Sequence, residues 1–390
     1  MKCLRGTGSA AAAFPAMPAF RILQRMLMVI FGAGASFDSC PTYPPFQRTP
    51  DDAPRFGPEV EGCRPPLANS LFDNRKIFID TLDEFPQCKG VVPSLRDTAV
   101  QQGKTSIETR LEEIRTAALG NGDAAREMVA VRCYLQRALW RCEVAWSKET
   151  HDVTNQLDLL REIDMANTSR EPVCLVTFNY DRLLEAALKL RGPAYKFEKM
   201  QDYTAGDRPF RLFKLHGSVD WGLEYANPLT IMQSTSSGAE AARTAIEQGW
   251  PRRQPEVYVF SSALTLQSHD GRPIFPAIAI PVEVKNEFQC PKPMQEALKQ
   301  LMPDVTRVIV IGWRASEANF RDLMNTHLRP GVRIFVVAGG REEAMGVRDK
   351  ITRAMPSALR NCTAEDVRGF TQFMRSGLAR QIVSDCMKQV

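Results

Sequence analysis

An α/β fold with a parallel sheet covered by helices on both faces is predicted by three features of this sequence. Near-continuous apolar runs recur at Leu27–Phe31, Glu171–Phe178, Val305–Ile311 and Val332–Ala338, as strands buried on both faces require. Each run ends in a turn of small or polar residues, and a segment of helical periodicity generally follows. Strand and helix therefore alternate along most of the chain. Such a sheet binds ligands at the carboxyl ends of its strands, so the residues standing there carry the functional reading.

Composition narrows the class. The chain has 390 residues, room for two domains or for one large domain with an insertion. With 44% hydrophobic and 24% charged residues it is an ordinary globular protein. A formal charge of +5 spread over the whole chain permits an anionic ligand but makes no basic stripe, so no direct nucleic-acid binding is expected. The ten cysteines contain no C-x-x-C pair, which argues against a structural zinc site. Several fall in apolar periodic segments and read as small buried hydrophobes without disulfides, in a reducing, cytoplasmic setting. No run reaches the roughly 18 apolar residues of a membrane span. Residues 1–25, Ala-rich and interrupted by Pro15 and Pro18, read as a flexible extension, with Met26 or Met28 as alternative starts.

The elements follow in order. Leu27–Phe31 is a short buried strand, and Gly32-Ala-Gly34 turns sharply after it, with Ser36 in the same turn. Backbone N–H groups of such a turn suit a pyrophosphate, although the third glycine of the dinucleotide fingerprint is missing. Asp38-Ser-Cys-Pro41 predicts that the next helix is delayed. From Cys40 to Val100, Pro, Asp, Arg and Gly abound; a long loop with one short helix, Leu71–Leu82, is expected over the turn. Thr105-Ser-Ile-Glu108 has the pattern of a capping box and opens a helix through Ala118. Asp123 opens a second helix, and Leu157–Ile163 makes a third; an all-helical insertion thus covers about 60–168. The Glu171–Phe178 strand leads into Asn179-Tyr180-Asp181 and a helix from Arg182 to Leu190. Phe210–Leu215 is another strand, with His216-Gly217-Ser218 at its end. Gln233–Pro255 is small, polar and basic, and reads as a plain surface loop or a lid. Phe275–Val282 gives a strand and Pro293–Met302 a helix. Val305–Ile311 ends in Gly312-Trp-Arg-Ala-Ser316 before the helix Glu317–Leu328. After Val332–Ala338, helices fill about 341–390. Residues 26–390 are thus read as one ligand-binding domain.

Four strand ends carry unusual residues: Gly32 to Ser36, Thr177 to Asp181, His216-Gly217, and Gly312 to Ser316. A parallel sheet puts all four on one edge. Here the chain resembles the SIR2-like (sirtuin-fold) proteins, whose marks are a G-A-G-x-S turn, a T-x-N-x-D motif and an L-H-G motif. They stand as Gly32-Ala-Gly-Ala-Ser36, Thr177-Phe-Asn-Tyr-Asp181 and Leu215-His-Gly217. Protein deacetylases of that family carry a zinc ribbon and a Gln within the T-x-N motif, and this chain has neither. Its Phe-Asn-Tyr-Asp form, with Ile311-Gly-Trp313, looks like the bacterial branch that degrades NAD in defence against phages, the HerA-associated type.

The resemblance implies a Rossmann-like sheet, NAD+ as ligand and substrate, and cleavage of its nicotinamide–ribose bond to nicotinamide and ADP-ribose. Gly32, Ala33, Gly34, Ser36, Thr177, Asp181, Gly312 and Ser316 are the expected binding residues, with Asn179 and His216 catalytic and no metal. His216 suits proton transfer near neutral pH, and Asn179 can hold ribose hydroxyls or water without carrying charge. Asp181 either meets the nicotinamide carboxamide or caps the next helix. His151, His269 and His327 have no motif around them. Because a free NAD hydrolase would poison its host, a homo-oligomer is expected, with a HerA-like ATPase partner or alternatively a short Argonaute. Competing readings are an NAD-dependent deacylase, a non-catalytic NAD or ADP-ribose scaffold, and, least well supported, an oxidoreductase.

Overall fold

Strand β1, Met26–Phe31, is buried at every position, because strands pair with it on both sides and helices cover both faces. On one side lies β2, Val173–Thr177, and on the other β8, Val305–Ile311; both pairings are parallel. β3, Phe210–Lys214, extends the sheet beyond β2, while β9, Arg333–Val337, and β10, Cys362–Ala364, extend it beyond β8. All of these pairings are parallel. The order β10-β9-β8-β1-β2-β3 is that of a Rossmann-like sheet, and it reverses direction at β1 and β8, where a crevice opens above the carboxyl ends. The computed structural model describes residues 25–45, 58–96, 106–117, 122–167, 171–225, 253–262, 267–268, 274–281 and 288–387. Residues 1–24, Thr105, His269 and most of the segment read as a lid lie outside these.

Helices α7 (Asn155–Ala166), α8 (Leu183–Lys189), α12 (Gly369–Arg375) and α13 (Leu378–Met387) form a connected layer against the sheet. α7 had been read as the end of the insertion, but Leu159, Leu160 and Ile163 are buried in the sheet's own core. Its start is capped by Thr154, whose hydroxyl accepts from the Leu157 N–H at 3.2 Å. α9 (Lys292–Leu301), α10 (Ala318–His327) and α11 (Arg341–Ala354) complete the α/β alternation.

Four expectations are corrected. A short helix, α1 (Ala33–Phe37), follows Gly32 at once; Asp38 ends it instead of delaying it. The stretch from Cys40 to Val100 is more helical than expected, with α2 (Pro58–Cys63), α3 (Lys76–Glu84) and α4 (Val92–Leu95) among its described parts. Prolines made it look broken, yet Pro58 opens α2 and Pro86 stands at the first turn of a 3-10 segment, where a missing N–H costs nothing. The cap of α5 (Ile107–Ala117) is Ser106, whose hydroxyl accepts from the Thr109 N–H at 3.0 Å. The fourth concerns Ile274–Ile278, which does not join the parallel sheet.

That segment, β7, pairs antiparallel with β4 (Gly217–Tyr225) in a second sheet of order β6-β5-β4-β7, where β5 is Arg253–Ser262 and β6 Gln267–Ser268. The chain passes from β3 into β4 through Leu215-His216. Gly217 makes the corner: its φ is +82°, and a Cβ there would stand 1.8 Å from the Ala277 carbonyl oxygen. Against this second sheet packs a separate apolar core, built by α3, α5 and the long helix α6 (Gly122–Thr150) on Val219 and Ile278. The nine cysteines among the described residues are buried and free. No helix among those residues is long and apolar enough to cross a membrane.

Candidate active site

The two glycines after β1 are required by a neighbouring turn. A Cβ on Gly32 would lie 2.4 Å from the Trp313 Cα, and one on Gly34 would lie 2.8 Å from the Gly312 Cα. Gly312 itself has φ +62° and would meet the Ala35 nitrogen. The two turns, after β1 and after β8, thus press backbone on backbone. They are also bonded: Gly32 N–H donates to Ile311 O and Gly34 N–H to Gly312 O, each at 3.0 Å, while Ala35 N–H donates to Gly32 O at 2.9 Å. Three amides of the turn expected to cradle a pyrophosphate, those of Gly32, Gly34 and Ala35, thus donate within the protein.

The strand end after β2 is tied to the same turn. Asn179 Nδ2 donates to Ser36 Oγ at 2.7 Å and to Gly32 O at 2.8 Å. Its backbone N–H donates to Thr177 Oγ1 at 3.0 Å, a local hydroxyl turn that aims the side chain. Thr177 is not among the residues lining the cavity described below, and its hydroxyl accepts from Asn179 N–H. Asp181 Oδ1 accepts from the Leu183 N–H at 3.2 Å, a local turn just before the Arg182 N-cap of α8, and Asp181 lines the cavity as well. Next to it, Glu143 of α6 receives both the backbone N–H and the Nε–H of Arg182 at 2.8 Å, joining the insertion to this strand end. Burial dominates over the attraction of Arg182 and pushes the Glu143 carboxyl up from 4.5 to about 7.

His216, 2% exposed, sits at the corner between the two sheets, its carbonyl accepting from Ala279 N–H at 2.8 Å. Phe178 meets its ring edge-on at 4.9 Å between centroids, and Phe178 in turn stacks on Trp313 at 5.2 Å. Glu317 Oε1 lies 3.7 Å from His216 Nε2. The other oxygen of that carboxylate accepts from Trp313 Nε1–H at 2.6 Å and from Ser316 Oγ–H at 3.1 Å. Ser316 therefore spends its proton within the protein.

These groups surround one cavity of about 390 Å³ at the carboxyl ends of β1, β2, β3 and β8. It is lined by Gly32, Ala33, Gly34, Ser36, Asn179, Asp181, His216, Gly312 and Ser316, so all the predicted site residues except Thr177 come together. Helices α5 and α6 add Glu108, Leu139, Cys142 and Glu143, the turn after β8 adds Arg314, and α11 adds Glu343 and Lys350. Burial pushes the Cys142 thiol up to about 12, which leaves it protonated and unreactive at neutral pH. Glu317, Trp313 and Glu143 were missed in the sequence. The first two stand in the noted turn after β8 and invited attention, but nothing local marks Glu143, which reaches the site only through the docking of α6.

Among the described residues no group of three or more His, Cys, Asp or Glu side chains could hold a metal ion. Compared with known families, residues 173–254 match the SIR2-like domain, a span that contains Asn179 and His216. No curated protein matches the chain.

Proposed function

We propose that the chain is an NAD+ glycohydrolase that cleaves the nicotinamide–ribose bond, releasing nicotinamide and ADP-ribose. The observation that carries this reading is the meeting of Asn179 and His216 with the Gly32–Ser36 turn in one cavity above the parallel strands. The match to a SIR2-like domain fits an NAD-related function. The cavity's lining carries charge of both signs, acidic Glu108, Glu143, Asp181 and Glu343 and cationic Arg314 and Lys350, which suits a ligand that bears both a pyridinium and phosphates.

Cleavage passes through an oxocarbenium-like state, so the site must hold the ribose, shield the cation and take a proton from the attacking water. Asn179 is held by Ser36 and Gly32 where its amide meets ribose hydroxyls. His216 accepts the proton, either from water or from a ribose hydroxyl that water then replaces as donor. Phe178 and Trp313 form an apolar wall beside it.

Incubation of the purified chain with NAD+, without any acylated peptide, is expected to release nicotinamide. His216→Ala should lower kcat by roughly 10²–10⁴-fold with NAD+ affinity nearly unchanged. NAD+ binding without turnover in the wild type would move the scaffold reading ahead, and turnover only with an acyl-peptide would favour a deacylase.

The same reading extends to control. Depletion of NAD+ is an effector activity suited to anti-phage defence, and it has to be held back until needed. Self-assembly, with a HerA-like ATPase or a short Argonaute as partner, is the proposed gate. A monodisperse monomer in light scattering, fully active by itself, would overturn it.

A further inference from the structure

We infer that Glu317 is the positioning residue of His216: it orients the imidazole and stabilises the imidazolium formed when the ring takes a proton. The inference rests on the glycohydrolase reading and adds a residue to that site.

Three observations carry it. Glu317 Oε1 is 3.7 Å from His216 Nε2, within ion-pair range, and both side chains are buried. Catalytic hydrogen bonds are often long before substrate binds. A carboxylate left in so dry a place without a cation would be costly unless other donors held it. Here they do: Trp313 Nε1–H and Ser316 Oγ–H both bond Oε2, and Oε1 is the oxygen that comes within 3.7 Å of His216 Nε2.

The backbone shows the same bias. Ala315, just before Ser316 and Glu317, has φ +51°, a left-handed conformation unfavourable for a residue with a Cβ. Arg321 holds it there through a hydrogen bond from its guanidinium to the Ala315 carbonyl. The result is that Glu317 turns inward at the mouth of α10, where an acidic N-cap would otherwise face solvent, while Ser316 stays exposed beside it. Strain kept at a strand end beside a cavity is the mark of a site whose geometry matters more than its local stability.

The proton balance is simple. As water attacks, its proton passes to His216, which becomes a cation next to the Glu317 carboxylate; after product leaves, the imidazolium returns the proton to solvent. Glu317 neither gives nor takes a proton in this balance. Other titratable groups near the ring are Tyr180, stacked 6.3 Å away, and the cavity carboxyls of Asp181, Glu143 and Glu108.

The test is Glu317→Gln, which keeps size and an acceptor for Trp313 but removes the charge. Two readouts are taken: the pH profile of nicotinamide release, and the NMR titration of the His216 ring signals, assigned with His216→Ala. Expected are a kcat lower by roughly 10²-fold, little change in KM, and an acidic limb and ring titration both displaced about one pH unit downward. Glu317→Asp, which restores the charge at a shorter reach, should recover part of each and replaces the Gln variant if that fails to fold. Unchanged kcat and an unmoved ring titration would overturn the inference. If the wild type releases no nicotinamide, the glycohydrolase reading fails instead. The ring titration then decides alone: displacement supports the pairing, and an unmoved ring refutes it.

Discussion

Asn179 Nδ2 donates to the Ser36 hydroxyl at 2.7 Å, joining two motifs 143 residues apart. The same nitrogen donates to Gly32 O, so one amide group fixes the turn after β1 to the strand end after β2. Asn179→Ala therefore does more than remove a ligand contact: it takes the amide donor from buried Ser36 Oγ and one of the two donors from Gly32 O, which keeps Ala35 N–H. We predict loss of nicotinamide release together with a stability cost of about 1–3 kcal/mol, the usual penalty for buried polar groups left unpaired. Asn179→Asp would instead put a carboxylate oxygen where Nδ2 donates, and although the Ser36 hydroxyl can turn to donate to it, Gly32 O would face another acceptor, so this variant should be no better. Thermal melts beside the activity assay separate the two effects; an inactive Asn179→Ala protein with wild-type stability would show that the bonds to Gly32 and Ser36 contribute little.

Gly34→Val is expected to lower stability before any ligand is present. The first carbon of the side chain would already stand 2.8 Å from the Gly312 Cα, where backbone meets backbone and neither side can yield cheaply. A loss of binding in this variant is thus a consequence of a displaced turn, not of a filled phosphate site. Differential scanning calorimetry of the unliganded protein checks it; an unchanged melting temperature would restore the simpler steric account.

The parallel strands were legible because burial on both faces demands continuous apolar runs, and MLMVIF and VTRVIVI leave no other reading. Asn179 and His216 were legible because strand ends of such a sheet converge. The second sheet was not: β4 and β5 are antiparallel partners separated by residues of no clear pattern, and Gly217 shows its purpose only once Ala277 is seen against it. The local role of Thr177 was not legible either: a hydroxyl in a motif looks like a ligand group, and only the structure shows it accepting from the N–H two residues on. Glu317 was read as the start of a helix, which it is; the left-handed turn at Ala315 that aims it at His216 has no signature in an alanine.

Stability should fall as pH rises through the weakly acidic range. Asp38 is almost wholly buried, and burial outweighs its bonds to Thr371 and the charge of Arg64, raising its carboxyl from 3.8 to about 6. The folded protein then keeps a proton that the unfolded chain would release. Its contribution is complete below pH 3.8 and is lost as pH climbs through about 6, a change of about 3 kcal/mol. Glu143, raised from 4.5 to about 7, acts in the same direction over a slightly higher window. Urea midpoints at pH 5 and pH 8 are expected to differ in the wild type and to differ less in Asp38→Asn, whose amide oxygen can still accept from Thr371. Equal pH dependence in both proteins would rule Asp38 out as the source.

Behind the site lies a charge pair whose loss should be felt at His216. Lys214, fully buried at the end of β3 and two residues before the histidine, bonds Glu185 Oε1 at 2.9 Å and the Asp181 carbonyl. Tyr203 OH donates to that same glutamate oxygen at 3.0 Å. Breaking one side of a buried pair leaves an uncompensated charge, so Lys214→Met should cost about 3–5 kcal/mol. Replacing both, in Lys214→Met with Glu185→Leu, removes the stranded carboxylate and should recover most of that loss, because two apolar side chains of similar size can fill the space. Activity is expected to recover less than stability. The Asp181 carbonyl would still lack its lysine donor, and the Asn179–Asp181 strand end would be free to shift against His216. Denaturation curves and nicotinamide release on the single and double variants give the two quantities; full recovery of both would show that Lys214 serves the core alone.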